Sequence, residues 1–234
     1  MTQSPMTSDE FFDIFRAYNE AVGPAPVILT LLAVFAAWRA FRSKGSRDGV
    51  VTVVLAGLWA WSGIAYQILH HAPYNSVAYV FGALFLVQAG ALLWAGPGSQ
   101  ELRFRARPDR FGITGAGMMA YGLVVYPLIG YALGHRYPEA PTFGAPCPVT
   151  IFTFGLLLWT AGKVPWYVLL VPFLWAIVAV GAAVNWGVLE DLAMPVAAVV
   201  SSGLLLHRNM RLRDGRVGRG LVHGPRRTHE QAAG

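Results

Sequence analysis

Imidazole, thiol and carboxylate side chains stand at a few separated places in this chain of 234 residues. His70 and His71 follow Tyr66 and Gln67, with Asn75 just beyond. His135, Arg136, Tyr137, Thr142 and Cys147 share one loop, and Glu190 and Asp191 are adjacent. Imidazole, thiolate and carboxylate are the ligand set of a zinc or copper site. Their spacing matches no metal motif, and adjacent histidines on a helix point about 100° apart, so no metal is assigned. Gln67 and His71, four apart, stack on one helical face. Glu190 and Asp191, as helix neighbours, cannot act as one acid and base pair without a bend, and carboxylates near a helix start are favoured by its dipole. Cys147 is the only cysteine, which excludes an internal disulfide; between Pro146 and Pro148 it reads first as a small packing residue.

The elements that position these groups follow from composition. With 55% hydrophobic and 13% charged residues, the chain has too little polar surface for a water-soluble domain of this length, and lipid is the expected solvent. A bilayer core of about 30 Å needs roughly 20 helical residues to cross. The candidate spans are 24–41, 50–69, 74–95, 111–133, 149–162, 164–184 and 188–206, the fifth being short. The expected fold is an all-α polytopic membrane helix bundle of about seven transmembrane helices.

Arginine and lysine collect in alternate loops: Arg39, Arg42, Lys44 and Arg47; then Arg103, Arg105, Arg107 and Arg110; then Lys163; then the segment after Leu206. Basic loops stay cytoplasmic, which predicts the N-terminus outside and the C-terminus inside. The single Lys163 is the weak joint, since 149–184 could also form a re-entrant hairpin. Asp9, Glu10, Asp13 and Glu20 precede the first span, unlike the basic start of a cleavable signal, so that span is expected to remain as an anchor. Within residues 1–23, Thr7 with Glu10 makes a capping box, and Phe11, Phe12, Ile14, Phe15, Tyr18 and Val22 fall mostly on one face. This is the pattern of a short interfacial amphipathic helix. Residues 207–234 read as a basic, disordered cytoplasmic tail that binds anionic lipid headgroups rather than nucleic acid.

Near mid-depth the spans carry no Asp, Glu, Lys or Arg. Ion-coupled pumps retain such groups because they work there, so that class is disfavoured. The last span has no Lys for a retinal Schiff base, and the six histidines lie at span ends, in loops or in the tail, which disfavours a haem between helices; no cofactor is expected. Gly130 and Gly134 form a small-xxx-small pair, read with Gly57, Gly63, Gly115, Gly122 and Gly181 as helix packing. Pro127, Pro172 and Pro195 predict kinks within spans.

The stretch from Gly134 to Gly155 holds Pro138, Pro141, Pro146 and Pro148, a composition that fixes a shape, so 134–148 is expected to be a structured outer loop. Here the chain resembles a family of uncharacterised bacterial membrane proteins, domain of unknown function 6064. The resemblance rests on Tyr18-Asn19; Trp59, Trp61, Gly63 and Tyr66; Asn75, Phe81-Gly82 and Gln88; the run from Gly134-His135 and Tyr137-Pro138 to Ile151-Phe152-Thr153-Phe154-Gly155-Leu156-Leu157; and Glu190-Asp191. It covers roughly 11–206. The family pattern commonly has a His after the Tyr of the second span, where this chain has Gln67, with His71 one turn later. The resemblance implies residence in a bacterial inner membrane and no established activity.

Three function classes stay open. A small-solute permease-like protein with an outer polar vestibule would use the kinked helices with Gln88 or Thr153. A ligand- or metal-binding sensory or accessory protein would bind without transport. An intramembrane enzyme is disfavoured, because the spans lack the Ser and His or His-rich spacing such enzymes need. The expected ligand-binding residues are His135, Tyr137, Cys147, Glu190 and Asp191, with His71, Asn75 and Gln88 behind them.

Overall fold

A computed structural model describes residues 6–45 and 49–222. A short helix α1 (Ser8–Val22) precedes α2 (Ala25–Arg42), α3 (Gly49–His71), α4 (Ala78–Gly98), α5 (Arg110–Ala132), α6 (Pro146–Leu158), α7 (Trp166–Trp186) and α8 (Ala193–Val222), the last entered through a 3-10 turn at Leu189–Leu192. Six of these segments, 25–42, 49–71, 78–98, 110–132, 166–186 and 189–212, are long and apolar enough to cross a membrane. The molecule is an all-α, multi-pass membrane bundle.

The seventh apolar segment is the exception that organises the rest. At 1.5 Å per residue α6 is about 20 Å long, too short to cross alone, and every residue in it except Cys147 is buried. It is the bundle's axis. Its C-terminal end is met by Arg208, whose guanidinium donates to the Thr160 carbonyl (2.7 Å), while a second nitrogen reaches Thr160 Oγ1 at 2.6 Å. A positive side chain at a helix C-terminus complements the dipole and the orphan carbonyls there. Phe104 pairs with Thr160 in an antiparallel bridge beside it.

Helix α7 runs antiparallel to α6. Its start lies near Glu101, to which Tyr167 donates (3.3 Å), and its end lies at α1, where Trp186 stacks on Phe11 at 4.2 Å. Residues 149–184 thus form a short buried helix followed by one long enough to cross, with α6 beginning at Pro146 and so shortening the structured loop. One end of the bundle holds Arg208, Arg105 and Arg107; the other holds α1, His71, His135 and Asp191.

Backbone contact is closest where α5 crosses α6: a Cβ on Gly115 would stand 2.6 Å from the Gly155 carbonyl oxygen, and the reverse holds too. Small residues let helices approach this closely in lipid. Gly130 does not pair with Gly134 in this way. A Cβ on Gly130 would meet the Glu190 carboxylate at 2.9 Å, while Gly134, at φ +97°, ends the helix. Helix α8 continues to Val222, so the boundary at 206 falls inside a helix: Leu, Met and Arg sustain helical winding. The remainder of the predicted tail, 223–234, lies outside the described residues.

Gln88 does not line the cavity described below, and its amide N–H serves the fold. Pro172 has no N–H, which leaves the carbonyl four residues earlier, that of Val168, without its helical partner. The Gln88 amide donates to that carbonyl at 2.9 Å and is itself fully buried. Nearby, Trp59 Nε1 donates to Thr153 Oγ1 at 3.0 Å. The Gln88 amide N–H and the Thr153 hydroxyl thus tie helices together, while Gln88 Oε1 is buried without a partner. Gln88→Leu should lower stability by about 1–3 kcal/mol, the cost of a buried polar group left unpaired. In a Pro172→Ala background, where the Val168 carbonyl regains an N–H, the same substitution should cost clearly less. A double-mutant cycle of thermal unfolding in detergent reads the difference; equal costs in both backgrounds would refute the pairing.

Candidate functional site

Helix α1 is built locally, and its capping box is present: the Thr7 hydroxyl accepts from the Glu10 N–H while the Glu10 carboxylate accepts from the Thr7 N–H at 2.8 Å. That contact also holds the Glu10 carboxyl below its usual range. Its apolar face does not turn to lipid. Phe11, Ile14, Phe15 and Tyr18 are buried against the bundle end, with Phe15 on Tyr66 (5.1 Å between rings) and Tyr18 accepting from Trp61 Nε1 at 2.8 Å. Burial raises the Tyr18 phenol to about 12, so it stays neutral. Asn19, fully buried, ties α1 to the 133–145 loop: its amide donates to the Pro138 and Ala140 carbonyls, and its Oδ1 accepts from Thr142 at 2.7 Å. Arg16 adds an ion pair to Glu139.

Beneath this cover is a cavity of about 210 Å³. The second half of α3, Ser62–His71, is π-wound, a winding found often at functional sites, and it delivers Tyr66 and His71 to one wall. Phe11 and Phe15 come from α1, Phe81 from α4, and Trp175 and Trp186 from α7. The exposed Val77, Val178 and Asn185 mark the rim. The polar floor is Asp191. Its Oδ1 accepts from Tyr126 at 2.6 Å and its Oδ2 from the Cys147 thiol at 3.3 Å. Tyr126 is placed by a π-wound turn at Tyr121–Val125 just before Pro127, and Cys147 by the first turn of α6.

Of the sequence-predicted residues, His71, Asn75, Cys147 and Asp191 line this one cavity. His71 is buried, and its Nδ1 bonds Gln67 Oε1 at 2.9 Å, as the four-residue spacing predicts. Its Nε2 has no partner, and the Trp175 indole N–H is directed at the Cys147 thiol. His70 turns away to the Ala65 carbonyl at 2.6 Å. His135 and Glu190 form a separate pair at 2.9 Å, with Glu190 buried and Tyr121 donating to its backbone carbonyl at 3.0 Å. This pair fastens the loop to the turn before α8 and does not line the cavity. Tyr137 is 65% exposed and reaches only the Asn19 carbonyl, at 3.4 Å. Gln88 is remote. Among the described residues no three His, Cys, Asp or Glu side chains come together to hold a metal ion. Sequence reasoning missed Tyr126, Trp175 and Trp186. The dipeptide Tyr126-Pro127 within an apolar span was the available signal, a hydroxyl beside a helix irregularity.

The chain belongs to a family of unknown function, DUF6064, whose profile matches residues 8–216. That match spans α1 to the arginine-rich part of α8, so cavity, cover and axial helix all fall within the family's region, and the resemblance seen in the sequence is borne out. No curated protein and no solved structure matches the chain.

The Tyr126 hydroxyl is the shortest contact to Asp191. Tyr126→Phe should destabilise the protein by about 1–3 kcal/mol by leaving a buried carboxylate short of a donor, whereas Cys147→Ser, which keeps a donor, should cost less. Thermal unfolding in detergent measures both; a Tyr126→Phe protein as stable as the parent would show that Asp191 does not depend on this bond.

Proposed function

We propose that this protein binds a small molecule in the cavity under α1, and that binding without flux is its activity. The observation that carries this reading is the Asp191 carboxylate, held by Tyr126 and Cys147 at the floor of a mainly apolar, aromatic-rich chamber. An apolar chamber with a few convergent polar groups is the usual form of a ligand site. Below the floor, α6 is packed on all sides, and the mid-depth Gln88 and Thr153 are engaged by Val168 and Trp59. The permease-like reading, which rests on kinked helices and a polar outer vestibule, expects uptake to depend on Gln88 or Thr153; the hydrogen bonds these two make within the bundle favour a sensory or accessory role over transport. A metal-binding version of that role draws no support from the donor set.

The test is native mass spectrometry of the detergent-purified protein beside an Asp191→Asn variant, with solute flux measured in proteoliposomes. A retained small molecule whose occupancy falls about tenfold in the variant, equivalent to about 1.4 kcal/mol, is the expected result. Solute flux abolished by Asp191→Asn would overturn it in favour of a permease.

The reading also places the cavity at the external face of a bacterial inner membrane. Arg39, Arg42, Lys44, Arg103, Arg105, Arg107, Arg110, Lys163, Arg208 and Arg211 belong to the opposite end, and among the described residues only Arg16 and Arg136 represent Arg or Lys at the cavity end; positive charge marks the cytoplasmic side. In a Cys147→Ser background, Tyr137→Cys should react with an impermeant thiol reagent on intact cells and Glu101→Cys only after lysis. The reverse pattern would invert the topology.

A further inference from the structure

We propose that the ligand is a small organic cation, an ammonium group on a mainly apolar body, seated with its charge at Asp191. This rests on the binding reading above and names its chemistry. Asp191 is 2% exposed and lies on the cavity surface. Its two partners, the Tyr126 hydroxyl and the Cys147 thiol, are neutral donors, and among the described residues it makes no salt bridge. The nearest acid in sequence, Glu190, has a basic partner in His135; Asp191 has none. Burying a carboxylate without a counter-charge is costly, and a positive group delivered by a ligand offsets that cost.

The walls fit the same guest. Phe11, Phe15, Tyr66, Phe81, Trp175 and Trp186 surround the cavity, and aromatic faces attract organic cations most strongly where water is excluded. No Lys or Arg lines the chamber, so nothing there recruits an anion by charge. One further polar atom awaits a partner: His71 Nε2 is unpaired, on a side chain 6% exposed. An ammonium N–H on the guest would answer that imidazole nitrogen. The volume of about 210 Å³ suits a single ring or a short chain, not a complete lipid.

The experiment compares three probes of one shape on the full-length protein in detergent: phenethylammonium, 2-phenylethanol and phenylacetate. Binding is read by quenching of tryptophan fluorescence and by slowed alkylation of Cys147, the only cysteine, whose thiol faces the floor. The cation should bind at least tenfold more tightly than the alcohol, protect Cys147, and lose that advantage in Asp191→Asn. Should that variant fail to fold, the ranking of the three probes on the parent protein, with Cys147 protection, still decides. Alcohol binding as tight as the cation, or tighter binding of the carboxylate, overturns the cation assignment while leaving the binding site standing. If none of the three quenches or protects, this assignment and the binding reading fall together.

Discussion

A helix too short to cross the membrane occupies the centre of this bundle, and the remaining architecture follows from that. Alpha-helix α6 is about 20 Å long, and nearly all of it is enclosed by protein. Irregular backbone at membrane depth is tolerated only where protein or a polar cavity surrounds it, so both ends of α6 must be received by chain rather than by lipid. At the arginine-rich end Arg208 and the Phe104–Thr160 bridge do this. At the other end the 133–145 loop descends to meet Pro146, with Gly144 turning at φ +109° against Tyr18, Leu29 and Trp61. A side chain at Gly144 would face both that unfavourable φ and a contact of 2.5 Å.

The cavity arises where this descent leaves α6 uncovered. Pro146 and Cys147 open the helix facing α3 and α7, which stand apart there, and α1 closes the top. Asn19 holds the closure because it satisfies three partners in the loop at once, and the aromatic face of α1 supplies the walls. An amphipathic helix that would otherwise lie in the lipid interface has become a component of the site. The same residues therefore support the end of α6, seal the chamber and line it, which explains why the family match runs through α1 and does not begin at the first long span.

Features that depend on local sequence were legible, and features that depend on distant convergence were legible in part. The Thr7–Glu10 cap and the Gln67–His71 contact are short-range and follow from helical spacing alone. Cys147 and Asp191 stood out as polar residues at span ends, yet nothing in the sequence pairs positions 44 apart, and Tyr126 was hidden inside an apolar run. The structural part played by Gln88 was hidden for a physical reason. An amide at mid-depth reads as a functional group until the carbonyl freed by Pro172 is counted, and that carbonyl lies 80 residues away. The bundle of apolar helices was readable because lipid imposes length and composition on every span, whereas α6 obeys no such rule and so was measured against the wrong template.

Glu190 and Asp191 show how one short turn can divide two similar side chains between different tasks. Because Leu189–Leu192 is a 3-10 turn, its successive side chains diverge by about 120°. One carboxylate turns into the notch above Gly130 to meet His135, and the other turns inward to Tyr126 and Cys147. The first has an imidazole partner and fastens the loop; the second has only neutral donors and faces space. A continuous α-helix through these positions would also separate them, but it would carry the chain straight on from α7 and lose the re-entry that Gly187, at φ +75°, provides. On the proposed binding reading, structure and recognition fall to adjacent residues on one turn, and the asymmetry of their partners, not their shared chemistry, is what separates them.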